Sequence, residues 1–511
     1  MNIQRLEGHQ STPLHNIGTT RQLELALATL LPPHTLMRRA GQSLAQLAMA
    51  LAPHARKIWI ACGPGNNGGD GLEAAVFLHQ AGMPVIVSHL TGNKELPSDA
   101  QVALQRAQAA GVAFVLAPPA LAPGDLAIDC LLGIGASRAA SGEMNVWISA
   151  INDSPAIVMS ADQPTGLDAQ TGQALLHEDA TLGALVHADH TLMLLTAKPG
   201  LFMGQGRDAS GQLWLDDLTR HAAEQKALMS VAPCSQMNPA PAAAPPRMHN
   251  SHKGSYGDVA IVGGEALAER GMGMTGAALL AASAALHGGA GRVLISLLTP
   301  HHAALPTEVM PTHPEWMFRT FSALHLQDLT VVCGCGGGLA ISRVLAEVLQ
   351  RSKQLVLDAD ALNAIAFDAN LAQLLKNRST RGMPTVLTPH PLEAARLLNS
   401  STAEIQAQRL HSAQTMAAQW GCTVVLKGSG TVIACPGQFS RINPTGNGKL
   451  AAAGTGDVLA GWIGAKIAQG TGTVLSAFEA ASQAVYQHGQ MADRWPENQH
   501  LTASALARQA N

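Results

Sequence analysis

Charged side chains are scarce in this 511-residue chain, at 13%, whereas apolar residues make up 47%. A disordered chain has the opposite balance, so this composition predicts a well-buried globular protein. No stretch of lysine and arginine is dense enough to bind a nucleic-acid backbone or an anionic membrane, and the net charge is −3. We therefore expect no nucleic-acid partner and no membrane partner.

The chain also has no apolar signal core at its start and no Cys-x-x-Cys pair, so we expect neither export nor a zinc site of that type. Cys333 and Cys335 are too close for a relaxed disulfide, and free thiols in a reducing cytoplasm are the preferred interpretation. The segment 271–291 has no Asp, Glu or Lys, but it contains His287 and is rich in Gly and Ala. This favours a buried helix followed by a turn over a membrane span.

Proline marks the clearest break in the chain. Residues 231–247 hold five prolines and have no helical or strand periodicity, which predicts a semi-rigid linker. A chain of 511 residues is too long to fold around a single hydrophobic core. We therefore expect two domains, residues 1–230 and residues 248–511.

Short apolar runs alternate with helical segments in both halves of the chain. The runs include residues 57–62, 84–87, 126–130, 156–160, 259–262, 293–297, 329–332, 355–357, 385–387 and 424–426. This alternation predicts the α/β class, with parallel sheets that carry helices on both faces, hence two three-layer domains. Ligands in such sheets bind at the carboxyl ends of the strands, so polar residues after strands are the candidate site residues.

A glycine-rich turn, Gly63–Gly71, follows the first of these strands and precedes a helix predicted over 71–80. It matches neither the Rossmann dinucleotide fingerprint nor the phosphate-binding P-loop. Asn66, Asn67 and Asp70 offer oxygen ligands and donors for a polar ligand or a hard cation. The alternative is a tight strand-to-helix turn in which Asn supplies unusual backbone angles.

Two aspartates follow other strands of the first half. Asp129 ends a strand, and Asp162 begins a loop that Pro164 and Gly166 stiffen. Each carboxylate could act in a site, or it could cap a turn.

In combination, these segments resemble the NAD(P)H-hydrate epimerase family. The match is carried by residues 36–41, 63–71, 129, 133–139, 162–166 and 198–200. The resemblance implies that the substrate is a nicotinamide nucleotide hydrated at ring carbon 6, and we expect a Rossmann-like domain. It assigns the following residues to the nucleotide site: Asn66, Asn67, Gly68, Gly69, Asp70, Gly133, Ile134, Gly135, Ala136, Ser137, Arg138, Ala139 and Asp162. It also implies a potassium ion held by Asn67, Asp129 and Thr165, and we expect Asp162 to transfer the proton.

The second half contains another glycine-rich turn, Gly454–Asp457. Backbone N–H groups of such a turn can close on phosphate oxygens, and a following helix aims its N-terminus at the same anion. The carboxylate of Asp457 then lies where a base could take a proton from an attacking hydroxyl. Lys427 follows a strand and could contact phosphate, whereas a lone histidine such as His390 is more often structural.

The second half resembles the ADP-dependent NAD(P)H-hydrate dehydratase family, which has a ribokinase-like fold. The match covers about residues 248–500 and is carried by residues 253–257, 263–264, 306–310, 358–363, 388–391 and 454–457. It implies that ADP is bound by Lys427, Gly428, Ser429, Gly430, Thr431 and Gly456. It implies that Gly336, His390 and Asp457 contact the hydrated nucleotide. The family's Gly-Pro-Gly-Leu-Gly turn is Gly334–Gly338 here, with Cys335 in place of proline.

The two resemblances together imply a bifunctional repair enzyme. Its first half would interconvert the R and S epimers of the hydrated dinucleotides NADHX and NADPHX, with K⁺ as the cofactor. Its second half would dehydrate the S hydrate with ADP and Mg²⁺, giving AMP and phosphate, and Asp457 would be the base. We expect a cytoplasmic homo-oligomer. The alternatives are a ribokinase-class small-molecule kinase, which would release a stable phosphorylated product, and a non-catalytic nucleotide-binding scaffold or sensor.

Overall fold

The computed structural model describes residues 3–91, 95–243, 246–299 and 313–509. The chain separates into two units. Unit 1 comprises the residues up to Glu7 together with Thr12–Gln236, and unit 2 comprises Gly8–Ser11 together with the residues from Met237 onward. The assignment of Gly8–Ser11 to unit 2 had no signal in the sequence.

Strands and helices alternate through unit 1. Its elements are β1 (Gln4–Arg5), β2 (Pro13–Leu14), α1 (Ile17–Ala28), α2 (Thr35–Leu51), β3 (Ile58–Cys62), α3 (Asn66–Gln80), β4 (Val85–His89), α4 (Ser98–Ala109), β5 (Ala113–Phe114), β6 (Leu126–Cys130), α5 (Glu143–Asn152), β7 (Ile157–Ala161), β8 (His190–Leu194), α6 (Gly206–Ala209), β9 (Gln212–Asp216), α7 (Ala222–Leu228) and β10 (Ser235–Met237). Strand β10 lies inside the segment predicted as a linker, and it pairs antiparallel with β2.

The main sheet of unit 1 has the strand order β1-β9-β8-β7-β6-β3-β4-β5, and its inner pairs are parallel. Along β3, Ile58 and Ile60 pack into one core with α2, α3 and α4, whereas Trp59 and Ala61 pack into another with α5. This alternation follows from the two-residue period of a strand and gives three layers. The strand order reverses between β3 and β6, which is where ligands bind in sheets of this type.

Unit 2 repeats this construction. Its elements are β11 (Asp258–Glu265), α8 (Leu267–Arg270), α9 (Thr275–His287), β12 (Arg292–Leu298), β13 (Met317–Phe318), β14 (Thr330–Cys333), α10 (Ser342–Arg351), β15 (Gln354–Leu357), α11 (Asp360–Phe367), α12 (Ala369–Thr380), β16 (Thr385–Leu387), α13 (Pro391–Leu398), α14 (Thr402–Ala407), α15 (Arg409–Trp420), β17 (Thr423–Leu426), β18 (Val432–Ala434), β19 (Arg441–Ile442), α16 (Thr455–Ala468), α17 (Val474–Asp493) and α18 (Ala503–Ala507).

The sheet of unit 2 runs in the order β13-β12-β11-β14-β15-β16-β17-β18-β19. Its strands are parallel from β13 to β17 and antiparallel from there on. Ile261, Val332 and Val356 share a core with α9, α16 and α17 on one face. The order reverses between β11 and β14, so a second candidate site lies at the carboxyl ends of these strands.

The predicted α/β class, with parallel sheets in both halves, is confirmed. The helix predicted over 71–80 is α3, and its predicted start at Gly71 is wrong because α3 already begins at Asn66. The glycines and asparagines that suggest a loop therefore form its first turns, and the turn itself is Gly63–Gly65. The buried helix expected in 271–291 is α9. Within the described ranges, no helix is long and apolar enough to cross a membrane. All seven cysteines are free.

Candidate functional site

The turn after β3 is tight because glycine leaves room for two close backbone approaches. A Cβ on Gly63 would lie 1.9 Å from the carbonyl oxygen of Leu131, and a Cβ on Gly68 would lie 1.9 Å from that of Gly63. The start of α3 is therefore held against the carboxyl end of β6. This contact places the side chain of Asn67 beside Gly133, where a Cβ would lie 3.6 Å from Asn67 Oδ1.

Asp129 is fully buried at the end of β6 and accepts four hydrogen bonds. Its Oδ1 accepts from Thr165 Oγ1 at 2.7 Å and from the Leu131 amide at 3.2 Å. Its Oδ2 accepts from the Thr165 amide at 2.8 Å and from Ser160 Oγ at 2.9 Å. Burial raises the pKa of Asp129, and these hydrogen bonds oppose the rise. The predicted ligands Asp129 and Thr165 are thus in direct contact.

Asn67 provides the unusual feature of this region. Both polar atoms of its amide are buried, and neither has a hydrogen-bond partner in the described part of the chain. Buried amides are nearly always partnered, because an unmade hydrogen bond leaves the desolvation of the group uncompensated. The side chain of Asn67 is therefore suited to bind a ligand, such as a cation that coordinates its amide oxygen.

A cavity of about 480 Å³ opens beside this turn. Four predicted residues line it, namely Asn66, Asp70, Ile134 and Asp162. Residues to which the sequence gave no role also line the cavity, among them Thr20, Arg21 and Glu24 from α1, Met37 from α2, and Lys198.

Asp162 has a left-handed backbone, with φ of 66°, at the carboxyl end of β7. The ammonium of Lys198 donates to Asp162 Oδ1 and to the carbonyl of Leu194, and the Leu194 amide also donates to Asp162 Oδ1. Both charged side chains are nearly excluded from solvent. Sequence reasoning gave Lys198 no role, although residues 198–200 were part of the family resemblance.

The cavity brings together more carboxyl groups than cations can neutralise. Burial raises the pKa of Asp70 well above its ordinary value, and the nearby charges of Asp162 and Glu24 raise it further. Burial, followed by the charge of Asp162, also raises the pKa of Glu24. The arrangement places a carboxylate held by lysine beside two carboxyl groups whose pKa values are raised, which provides candidate groups for accepting and for donating a proton.

The segment Gly133–Ala139 was predicted to form one site, and the structure divides it. Ile134 faces the first cavity, whereas Ser137, Arg138 and Ala139 line a separate cavity of about 940 Å³. Arg138 forms an ion pair there with Glu178, and both side chains are exposed.

In unit 2, the turn Gly334–Gly338 follows β14. Gly334 has φ of 117°, and a Cβ there would lie 2.0 Å from the carbonyl oxygen of Asp358. Gly336 and Gly338 also have positive φ. The glycines therefore let the turn close onto the end of β15 and place the buried thiol of Cys335 beside Asp358.

Asp358 pairs with Lys427 at the centre of this region. Lys427 Nζ and Thr388 Oγ1 donate to Asp358 Oδ1 at 2.7 and 2.8 Å. Burial opposes the charged form of Lys427, but Asp358 and Glu393 outweigh it and raise the pKa of the lysine. The same ammonium lies 3.4 Å from the Cβ position of Gly456. Asp358 follows a strand and opens the motif at 358–363, which marked it as a candidate, but the sequence gave it no role.

Asp457 lies in the first turn of α16, which begins directly after Gly454. Burial, followed by the charge of Asp358, raises the pKa of Asp457 to about 6. Ligand atoms of Cys335, Asp358 and Asp457 all lie within 4.8 Å of one another. Asp457 is thus a carboxylate that changes protonation near neutral pH at a helix N-terminus, as the predicted base requires.

His390 caps helix α13. Its Nδ1 accepts from the amides of Leu392 and Glu393 at 3.1 and 3.3 Å, and its Nε2 lies 3.1 Å from Glu393 Oε1. The side chain is 46% exposed, so it can also meet a ligand. The predicted motif at residues 306–310 lies outside the described residues.

The remaining predicted ADP residues form the loop between β17 and β18. Gly428 has φ of 135° and Gly430 has φ of 66°. Arg409, at the start of α15, lies beneath this loop. It donates to the carbonyl groups of Lys427 and Gly430 in the loop and to that of Leu426 at the end of β17. Nothing in the sequence pointed to Arg409.

Sequence comparison identifies relatives for both units. The family model described as NAD(P)H-hydrate dehydratase matches residues 260–510, and the model described as YjeF-related protein N-terminus matches residues 33–200. A bifunctional NAD(P)H-hydrate repair enzyme of Escherichia coli is 35% identical over 90% of this chain and 85% of its own length. An ADP-dependent (S)-NAD(P)H-hydrate dehydratase of Neisseria meningitidis is 42% identical over 51% of this chain and 84% of its own length.

Among solved structures, an ADP/ATP-dependent NAD(P)H-hydrate dehydratase of Bacillus subtilis is 29% identical and covers 52% of this chain and 91% of that chain, with a TM-score of 0.41. The fold and the two sites define a two-domain α/β protein with an aspartate at the centre of each site. The relatives that match most of the length of this chain identify its family within that class. The chain belongs to the family of bifunctional NAD(P)H-hydrate repair enzymes.

Proposed function

We propose that this chain repairs hydrated NADH and NADPH at two sites, one in each unit. The observation that carries the proposal is a pair of aspartates. Asp162 is buried and held by Lys198 at the carboxyl end of β7, and Asp457 lies beside the Lys427-bound Asp358 in the first turn of α16. The division 1–230, 231–247 and 248–511 remains our proposal for the domain boundaries.

Unit 2 would dehydrate the S hydrate at the expense of ADP. Asp457 takes the proton of the carbon-6 hydroxyl, and the hydroxyl oxygen attacks the terminal phosphorus of ADP. AMP leaves with the electrons of the broken P–O bond. The phosphate then departs from carbon 6 with the C–O electron pair, and loss of a proton from carbon 5 restores the ring double bond. The raised pKa of Asp457 supports this role, because a base works best when its pKa lies near the operating pH.

Lys427 fits a role in holding the terminal phosphate. Its ammonium lies between Asp358 and the N-terminus of α16, where partial positive charge from the helix also collects. The loop Lys427–Thr431 would bind the remainder of ADP, and Gly336, His390 and Asp457 would contact the hydrate.

Mg²⁺ does not fit the cluster of Cys335, Asp358 and Asp457. Mg²⁺ prefers oxygen ligands, whereas Cys335 offers a thiol and Asp358 already holds Lys427. We propose that phosphate oxygens of ADP and water hold any Mg²⁺ that accompanies the nucleotide.

Unit 1 would interconvert the R and S hydrates in the cavity that contains Asp162. The carboxylate of Asp162 is held by Lys198 and would accept a proton from the ring of the substrate, and Asp70 or Glu24, whose pKa values are raised, would return one. Asn66, Asp70 and Ile134 line this cavity and would contact the hydrate.

K⁺ fits the neighbouring residues Asn67, Asp129 and Thr165. The support is the unpartnered buried amide of Asn67, beside a carboxylate and a hydroxyl that are already in contact. All three offer the oxygen donors that a hard cation prefers. A bound ion would supply positive charge beneath the glycine-rich turn. The cytoplasmic location and the homo-oligomeric state stay predictions from the sequence.

Incubating the protein with a mixture of R and S hydrates, with and without ADP, tests this function. We expect absorbance of the reduced nicotinamide to recover fully with ADP and not without it. A stable phosphorylated product in place of free phosphate would favour the small-molecule kinase. Tight binding without turnover would favour the scaffold.

A further inference from the structure

Arg409 carries a buried positive charge that the catalytic account above does not use. Its side chain is 1% exposed, and it begins helix α15. Nη2 donates to the carbonyl oxygens of Leu426, Lys427 and Gly430 at 3.2, 3.2 and 3.3 Å. Nη1 donates to Gln406 Oε1 at 2.6 Å. All of these acceptors are uncharged.

The charge of Arg409 is therefore uncompensated within the described residues. No carboxylate there pairs with the guanidinium, and Nε has no hydrogen-bond partner. Burial lowers the pKa of Arg409 to about 10. The position at a helix N-terminus is also unfavourable for a cation, because partial positive charge collects there. A buried and unpaired charge is costly, and an anion bound at the loop beside Arg409 would offset that cost.

The loop above Arg409 is shaped to leave room for the guanidinium. A Cβ on Gly428 would lie 2.8 Å from Arg409 Nη1, and the φ of 135° at Gly428 is one that other residues rarely adopt. In a planar trans peptide the N–H points away from the preceding carbonyl. Because the carbonyls of Lys427 and Gly430 point at Arg409, the N–H groups of Gly428 and Thr431 point to the opposite side of the loop.

We propose that Arg409 is a positioning residue for ADP. Arg409 binds the carbonyl groups of this loop from below, so that the N–H groups of Gly428 and Thr431 face the nucleotide phosphates. The negative charge of the phosphates in turn balances the charge of Arg409. This inference rests on the proposed ADP-dependent function of the same loop. Arg409 would act through the loop and would not touch the substrate.

Arg378 offers a matched control. It is also 1% exposed, and burial likewise lowers its pKa to about 10. It too donates to carbonyl groups, those of Leu349, Ser352 and Pro384. These acceptors come shortly before β15 and β16, at the amino ends of the strands, whereas the loop at 427–431 follows the carboxyl end of β17. A merely structural role for a buried arginine should therefore look the same at both positions.

The test compares full-length Arg409→Met and Arg378→Met by calorimetric titration with ADP and by steady-state kinetics. For Arg409→Met we expect the Kd and KM for ADP to rise about 10- to 100-fold, the range for losing charge-assisted hydrogen bonds. We expect kcat at saturating ADP and the KM for the S hydrate to stay within about twofold. Arg378→Met should melt earlier but keep the wild-type Kd for ADP.

An unchanged Kd for ADP in Arg409→Met, or an equal rise in Arg378→Met, would overturn the proposal. If Arg409→Met does not fold, Gly428→Ala is measured in its place, because the added Cβ displaces the guanidinium of Arg409. Gly428→Ala should raise the Kd for ADP by a similar factor. An unchanged Kd in Gly428→Ala would also overturn the proposal. A wild-type protein that binds ADP without dehydrating the hydrate would refute the proposed function, while the Kd values would still decide the role of Arg409.

Discussion

The ammonium of Lys427 lies 2.7 Å from Oδ1 of Asp358, at the carboxyl end of the central sheet of unit 2. The sequence predicted that Lys427 binds ADP, and it marked Asp358 by its motif after a strand without assigning it a role. The contact joins them, and it sets the electrostatic environment of Asp457, whose pKa Asp358 raises and Lys427 lowers.

Replacing Asp358 with Asn should shift the pH dependence of dehydration. The pKa of Asp457 is about 6, so kcat/KM should rise as the pH increases through 6, where the base loses its proton. Removing the Asp358 charge removes repulsion and frees Lys427, and both changes favour the charged form of Asp457. The acidic limb should therefore move below pH 6. A pH profile of dehydration from pH 5 to pH 8 measures this, and a limb that stays in place or moves upward would contradict it.

Replacing Asp457 with Asn should abolish the base while keeping the shape of the side chain. Loss of a general base typically reduces the rate by about 10²–10⁴-fold, and we expect that loss in ADP-dependent dehydration. Epimerisation is the internal control, since it belongs to unit 1 and should be unchanged. A variant that retains more than about a tenth of the dehydration rate would show that another group is the base.

Ten of the strands were predictable from the sequence because each is a short, nearly continuous apolar run, as in β3 and β6. The other strands were not predicted, among them β8 and β9 of the main sheet of unit 1. The beginning of α3 was also not predictable, since glycine and asparagine normally disfavour a helix interior. Here Gly68 and Gly71 are needed for contacts with Gly63 and with Cys62 and Cys130, which only the folded packing reveals.

The candidate site was predictable where a residue follows a strand, as Asp162 does, or lies in a glycine-rich motif, as Asp457 does. Lys198, Glu24 and Arg409 could not be assigned a role in this way. Each reaches its site from a different element, and the contact depends on how the helices pack on the sheet. Arg409 opens a helix with no motif around it, and its three carbonyl acceptors lie 17 to 21 residues further along the chain.

The Asp162→Asn variant should separate the two activities. Asparagine tolerates the left-handed backbone at this position, so the fold should persist while the proton acceptor is lost. With R hydrate and ADP, recovery of NADH should fall to the rate of uncatalysed epimerisation. With S hydrate and ADP, recovery should match wild type. Parallel time courses from the two purified hydrates give the comparison, and equal recovery from both would remove the epimerase from unit 1.

Potassium should stabilise unit 1 through Asn67 and Asp129. A ligand that binds the folded state alone raises the melting temperature, so we expect a higher value in KCl than in NaCl at equal ionic strength. Asn67→Ala and Asp129→Ala should abolish that difference.

Asp125→Asn is the matched control for the potassium experiment. Asp125 is also buried, but it accepts from the Lys57 and Ala122 amides at the opposite end of β6. The Asp125→Asn variant should have a lower melting temperature than wild type, and its melting temperature should still rise with potassium. A potassium response that survives in Asn67→Ala would place the ion elsewhere.

The most direct test of the central claim is the stoichiometry of the reaction in unit 2. Purified S hydrate, ADP and wild-type protein are incubated, and NADH, AMP and inorganic phosphate are quantified in the same samples over time. The account predicts that the three products form in equal amounts and that none forms without ADP. NADH formed without consumption of ADP, or a phosphorylated hydrate that accumulates in place of NADH, would contradict it.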